Sequence, residues 1–517
     1  MEHEFDTIVI GAGSAGCVVA NRLSEDAHHR LGLIEAGPDY GPVAAGGWPD
    51  VLISARYQPG SHDWGYQMIA RGRTYRQWRG KVVGGSSTVN AAGITWPTRA
   101  DLDRWEALGI RGWGWEGLFP YLQRVERDLE GAWPGHGRSG LLPVTTGTST
   151  SSLIEAVAEA YRAHGVPRLA DFNDPDAREG VGRDTRNVVG MARVHLAEAY
   201  LDPARQRNNL TIVANTHVDR IEWQAGRAVA VHVLQDGQRR RFAAERIVLC
   251  AGTFGTPAIL QRSGIGPADR LRPILEEGSR LHDLPGIGRN LWDQPGVSMR
   301  WEPAPGARER LLAEGTPFAA LVCKVKSDPT SEWFDLHVFH SHLAAPPGGR
   351  FFGAQIWMLT PAESGEMMIS SQDPLAAPRI RGGIGHPEDI RRLVRGIERL
   401  RDILAGEPLG SWLAEEAEPG IEIRDETLFL WVLDHLDLYH HACGTAKVGP
   451  PEDPLAVAES DGRVRGFQNL YVADASLIPT IPRAAVHLPV LAIAEKIADG
   501  LRRTSAAAPE HRPSQRC

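Results

Sequence analysis

A chain of 517 residues is too long for one compact core, so two or three structural units are expected. Hydrophobic residues at 42% and charged residues at 23% fit an ordinary globular chain, and a net charge of −8 gives no basic footprint for nucleic acid. Five cysteines (Cys17, Cys250, Cys323, Cys443 and Cys517) are spread without metal-ligand spacing, which reads as free thiols in a reducing, cytoplasmic compartment.

The first predicted strand, Phe5 to Ile10, starts too early for a signal peptide, and no apolar run approaches the roughly 18 residues of a membrane span. Gly11-Ala12-Gly13-Ser14-Ala15-Gly16 follows it. A helix over Ala15 to Leu23 and a short strand Leu31 to Ile34 complete a βαβ unit. From Gly37 to Tyr75 the chain is rich in Gly, Pro and aromatics with little period, an ordered excursion compatible with a lid or an interface. A second glycine-rich element, Gly84-Gly85-Ser86-Ser87, comes next. Leu153 to His164 predicts a helix and Asn209 to Ala214 a strand. Arg220 to Val233 and Arg241 to Cys250 predict strands around a turn at Asp236-Gly237. Alternation between about Met299 and Ile380, as over Trp333 to Leu343, predicts an antiparallel sheet. Tyr471 to Ala473 is a short strand, Val490 to Leu501 an amphipathic helix, and Thr504 to Cys517 a disordered tail. Pieces of one nucleotide-binding unit thus stand at the start, middle and end of the chain, so the units interleave.

The first glycine motif sits between strand and helix, with Glu35 at the end of the next strand. Gly11 permits the tight turn, Gly13 lets backbone approach a pyrophosphate, and Gly16 allows helix to pack on strand. The helix N-terminus favours the anion, and Glu35 suits ribose hydroxyls. This predicts binding of an ADP-ribose moiety, against the alternative of a structural turn. The motif alone does not separate FAD from NAD. Leu249 to Thr253 resembles the strand that closes over adenine in flavoproteins, and Tyr471 to Ser476 the strand whose carboxylate, Asp474, approaches the ribityl or pyrophosphate portion. A helix cap is the alternative for Asp474.

These segments, with Gly80 to Asn90, Ala251 to Pro257, Ser263 to Gly266, Leu284 to Leu291, His441-Ala442-Cys443-Gly444-Thr445 and Asp474 to Pro479, occur in an order that resembles the glucose–methanol–choline (GMC) oxidoreductases. The resemblance implies an α/β fold in which a Rossmann-like FAD-binding domain (1–150, 205–298, 435–503) is interleaved with a substrate domain on an antiparallel sheet (151–204, 299–434), before a tail at 504–517. It implies cofactor contacts at Gly11, Gly13, Ser14, Ala15, Gly16, Glu35, Ala36, Val83, Gly85, Ser86, Asn90, Ala91, Val218, Ala251, Gly252, Asp474 and Ala475, with Val218 beside the adenine. Some relatives bond FAD through a His where this chain has Val89, so non-covalent FAD is expected.

Alcohol oxidation needs a base for the hydroxyl proton, and His titrates near neutral pH. The chain has 19 His, and the resemblance selects His441 as the base. It places His487 at the second catalytic position, with Ala485 where relatives carry a supporting Asn; a packing role is the alternative. His440 is expected to pack beside the base. His337, His340 and His342 lack acidic or Cys partners and read as sheet residues, so no metal is expected. Trp64, Trp96, Trp292 and Trp357 fall in segments that could face the flavin. The expected substrate is a small primary alcohol (aromatic, furanic or pyridoxine-like), with oxygen or another electron acceptor, no nucleic acid or membrane, and the oligomeric state left open. A flavin-containing lyase is the alternative activity.

Overall fold

Short apolar runs, buried on both faces, form the parallel heart of the first sheet. The computed structural model describes residues 4–55, 60–130, 133–147, 152–314, 321–345 and 349–506. Leu210–Val213, Leu31–Ile34, Glu4–Ile10 and the C-terminal half of Gln238–Leu249 lie parallel in that order. Leu470–Val472 joins beyond Leu249, also parallel. Every residue of Leu31–Ile34 is buried. Segments about 200 residues apart in sequence therefore build one sheet, as interleaving requires.

The predicted strand Arg220 to Val233 is two strands, Thr216–Gln224 and Arg227–Gln235. Ala225 and Gly226 between them both take left-handed φ, at 49° and 71°. Paired positive φ is the turn that matches strand twist. Asp236 and Gly237, at 51° and 74°, repeat it. Only the second pair carries turn-forming residues at both positions, which is why the first hairpin is hidden in the sequence.

The second sheet is antiparallel in the order Leu413–Glu418, Pro295–Pro303, Gly349–Met358, Leu336–Ala345, Leu321–Val325, Gly180–Gly182. It begins at Pro295, before the expected start near Met299. Its strands alternate. Leu336, Val338 and Ile356 face a core shared with the helices Ser152–Ala163 and Pro387–Leu404. His337, Phe339 and Trp357 take the opposite face, toward Tyr439.

The excursion after Gly37 contains a short helix, Asp50–Ile53, and a hairpin, Tyr66–Ala70 with Arg73–Gln77. That hairpin pairs with Arg379–Arg381, so its partner lay some 300 residues away in sequence. The last helix spans His487–Ala506, three residues earlier than the predicted start at Val490 and past the predicted tail start at Thr504. Pro489 is tolerated because the first helical turn needs no N–H from it. Within this helix the buried Glu495 pairs with Arg22 at 2.8 Å and accepts the Tyr200 hydroxyl at 2.9 Å, locking the last helix to the first. Residues 507–517, with Cys517 and the rest of the predicted tail, lie outside the described residues. Cys17, Cys250, Cys323 and Cys443 are buried free thiols. No described helix is long and apolar enough to cross a membrane.

Candidate active site

The two glycine turns pack backbone to backbone. Gly84 N donates to Ala12 O at 2.7 Å. A Cβ on Gly11 (φ 95°) would stand 2.6 Å from Cys250 O, and one on Gly85 (φ 55°) 2.6 Å from Gly13 Cα. Side chains are thus excluded from this floor. The helix Ser14–Leu23 starts there with no side-chain cap and no acid in its first turn, so its free N–H groups suit a diphosphate. Glu35 is buried and accepts N–H bonds from Ala12 (2.9 Å) and Gly37 (2.8 Å). Burial outweighs these bonds and pushes its carboxyl up to about 7. A ribose diol would meet a preformed acceptor there, so the residues fit the adenosine diphosphate part of FAD. Thr216 N donates to Glu35 O at 2.8 Å, bringing the strand that carries Val218 alongside. Cys250 N bonds Ile10 O at 2.8 Å, which sets Ala251 and Gly252 beside the same turn.

Val83 is anchored to Pro38 O at 3.0 Å, and Ser86 Oγ accepts from Gly80 N at 3.2 Å. Asn90 Oδ1 holds Ala92 N at 3.0 Å, with Ala92 at φ 59°, a costly value for a residue with a Cβ. Ala91 beside it is exposed. Asp474 takes the capping role that the sequence allowed. Its oxygens accept from Gly252 N, Thr256 Oγ1, Ser476 N and Ser476 Oγ at 2.6–2.8 Å. A carboxylate has about four acceptor directions, and all are taken. The capping role is realised, with Asp474 just ahead of the turn Ala475–Leu477. The neighbouring Ala475 opens the capped turn Ala475–Leu477.

His441 is half-buried beside the second sheet. Its backbone N donates to Asp293 Oδ1 at 2.8 Å, and its Nδ1 lies 2.7 Å from Gln294 Oε1. Nε2 has no hydrogen-bond partner among the described residues. Tyr439 stands 4.0 Å from the imidazole, ring centre to ring centre, and stacks on Trp357 at 4.8 Å and 8°. Burial, and after it the fields of His440, Arg79, His337 and His487, holds His441 well below the usual His range. The ring is therefore neutral at pH 7, the form a base requires. His440 takes φ 65°, a left-handed conformation.

His487 opens the last helix. Both of its ring nitrogens are buried without partners among the described residues, and burial holds it down at about 4. The support missing from Ala485's side chain comes through backbone. Ala485 N donates to Thr95 Oγ1 at 2.6 Å, and Arg483 is fixed to Asp101 by its N (2.9 Å) and guanidinium (2.5 Å).

Trp292 bridges to Cys443 backbone at 3.0 Å and so borders the site. Trp64 stacks on Tyr66, and Trp96 is buried among Trp115, Phe119 and Trp133. His340 bonds Tyr161 Oη at 2.8 Å within the core, while His337 points the other way; the His342 side chain lies outside those described. No group of three or more metal-ligating side chains occurs among the described residues. Sequence reasoning missed Gln294, Thr95 and Asp101 as supports, because each acts through partners far away in sequence.

The family model for GMC oxidoreductases matches this chain in its N-terminal part over residues 5–296 and in its C-terminal part over 361–494. The chain is 32% identical over 537 residues to an oxygen-dependent choline dehydrogenase of Stenotrophomonas maltophilia (strain R551-3), covering 97% of this chain and 95% of that protein. Among solved structures, pyridoxine 4-oxidase from Mesorbium loti superimposes with a TM-score of 0.87 at 30% identity, covering 96% of this chain and 99% of the other. Formate oxidase gives the same TM-score, 0.87, at 23% identity over 98% and 99% of the two chains, a likeness of fold alone. With the nucleotide cradle and the family's two parts both present, the chain belongs to the GMC oxidoreductase family and is an FAD-dependent oxidoreductase acting on alcohols.

Proposed function

We propose that the protein oxidises a small primary alcohol on a planar ring (benzylic, furanic or pyridoxine-like) to the aldehyde, with His441 Nε2 as the base. The observation that carries this reading is a neutral imidazole whose Nδ1 is tied to Gln294 and whose Nε2 has no partner among the described residues, set against the Tyr439–Trp357 stack. FAD, when bound, accepts the hydride from the carbinol carbon. The chain does the rest. His441 Nε2 takes the hydroxyl proton, and His487, also neutral, holds the same oxygen through a ring N–H. The aromatic stack offers a flat face to a ring. FAD is held without a covalent bond, since Val89 offers no nucleophile.

Pyridoxine 4-oxidase favours a ring-bearing alcohol, whereas the relatives named as choline dehydrogenases favour a quaternary ammonium. An aromatic stack would also accept a cation. Against it, the buried guanidinium of Arg79 acts on His441, and the Asp293 oxygens are already occupied by His441 N, Gln294 N and Gln77 Nε2. The test is anaerobic mixing of the yellow protein with benzyl alcohol, hydroxymethylfurfural, pyridoxine and choline. Bleaching by a ring alcohol and not by choline supports the proposal. Bleaching by choline alone overturns it. Readmitted oxygen then reports whether oxygen is the acceptor.

A further inference from the structure

We infer that Gln294 is a positioning residue that fixes His441 as the Nδ1–H tautomer, leaving the lone pair on Nε2 for the substrate hydroxyl. This rests on His441 being the base. Gln294 is fully buried and follows Asp293 just ahead of the strand Pro295–Pro303. Its Nε2 lies 3.2 Å from Leu359 O and 3.0 Å from Pro482 O, two groups that can only accept. Turning the amide over would set oxygen against two carbonyl oxygens, so its orientation is decided by its partners. Oε1 must then accept, and among the described residues the donor facing it is His441 Nδ1, at 2.7 Å. A hydrogen on Nδ1 of a neutral imidazole leaves Nε2 bare.

The choice of an amide has a further consequence. A carboxylate in the same place would also take the Nδ1 hydrogen, yet it would favour the imidazolium. Gln294 orients the ring without charging it. The groups whose fields act on the ring are His440, Arg79, His337 and His487, and Asp293 accepts its backbone N–H. The carbonyls of Leu359 and Pro482 tie this one amide to both the substrate sheet and the segment leading to His487.

The experiment uses the FAD-loaded enzyme. With 15N-labelled histidine, the His441 resonances, assigned by their loss in His441→Ala, are expected to show a protonated Nδ1 and an unprotonated Nε2. A protonated Nε2 would overturn the inference. In parallel, anaerobic flavin reduction is followed against pH. Gln294→Glu is expected to move the acid limb upward by at least about one pH unit. Gln294→Met is expected to lower the limiting rate at least about tenfold, with KM within about twofold, because the tautomer is no longer chosen. Profiles matching wild type in both variants, while His441→Ala is inactive, reject the role of Gln294 alone. Near-normal reduction in His441→Ala rejects the base itself.

Discussion

Glu35 is proposed to couple cofactor binding to pH through a single side chain. Without ligand, burial raises its carboxyl to about 7, because two short backbone N–H bonds do not replace the lost water. Ribose hydroxyls donating to it favour the ionised form and lower that value, so FAD binding releases a proton. The predicted affinity therefore holds above pH 7 and weakens by up to about tenfold per unit below it. Fluorescence titration of the FAD-free protein between pH 5 and 8 would measure this. Glu35→Gln should bind more weakly with a flat profile, and a slope equal to wild type's would refute the coupling. Glu35 was legible in the sequence because its position, one strand beyond a GxGxxG, has a local meaning. Gln294 was not, because its meaning lies in Leu359, His441 and Pro482, contacts that span 65 to 188 residues.

The segment Arg483 to His487 is the element on which the departure at Ala485 turns. Its backbone hangs on Thr95 and Asp101, and Trp96 beside Thr95 is held through Nε1 to Glu126 Oε1 at 3.2 Å. Thr95→Val keeps the shape and removes the acceptor, leaving a buried N–H unpaired at a cost of about 1–3 kcal/mol. The expected result is full FAD content, a melting point lowered by a few degrees and flavin reduction slowed about tenfold or more as His487 shifts. An unchanged reduction rate would mean that His487 does not touch the reacting oxygen. Elements with a strong local signal, the βαβ unit above all, were read nearly to the residue. The hairpin at Ala225-Gly226 and the one at Tyr66–Gln77 were not, since one lacks turn residues and the other finds its neighbour only in the folded chain.

Across the whole molecule, buried charge ties distant segments together, and one cluster gives stability a pH signature. His136 lies 2.8 Å from both Glu126 and Asp171. Burial opposes its charge, but the bonds to Asp171 and Glu126 prevail and push the imidazole up to about 10. Its unfolded value is near 6.5, so this stabilisation is complete below pH 6.5 and is lost as pH rises toward 10. It is on the order of a few kcal/mol. Melting curves from pH 6 to 10 should fall for wild type and flatten in His136→Gln, which should also be less stable at pH 6. Parallel slopes in the two proteins would count against a charged His136. Interleaving of two sheets was legible because cofactor motifs recur along the chain. Which buried acids and bases meet was not, since pairing of charge leaves no periodic mark in a sequence.

In the proposed reaction His441 removes the hydroxyl proton while the carbinol hydrogen passes to FAD. Stopped-flow anaerobic reduction with benzyl alcohol and its α-dideuterated form, in wild type and His441→Ala, tests it most directly. A clear isotope effect on flavin bleaching is expected in wild type, and a rate at least about a thousandfold lower in the variant with FAD still bound. Bleaching in His441→Ala within a few-fold of wild type would contradict it.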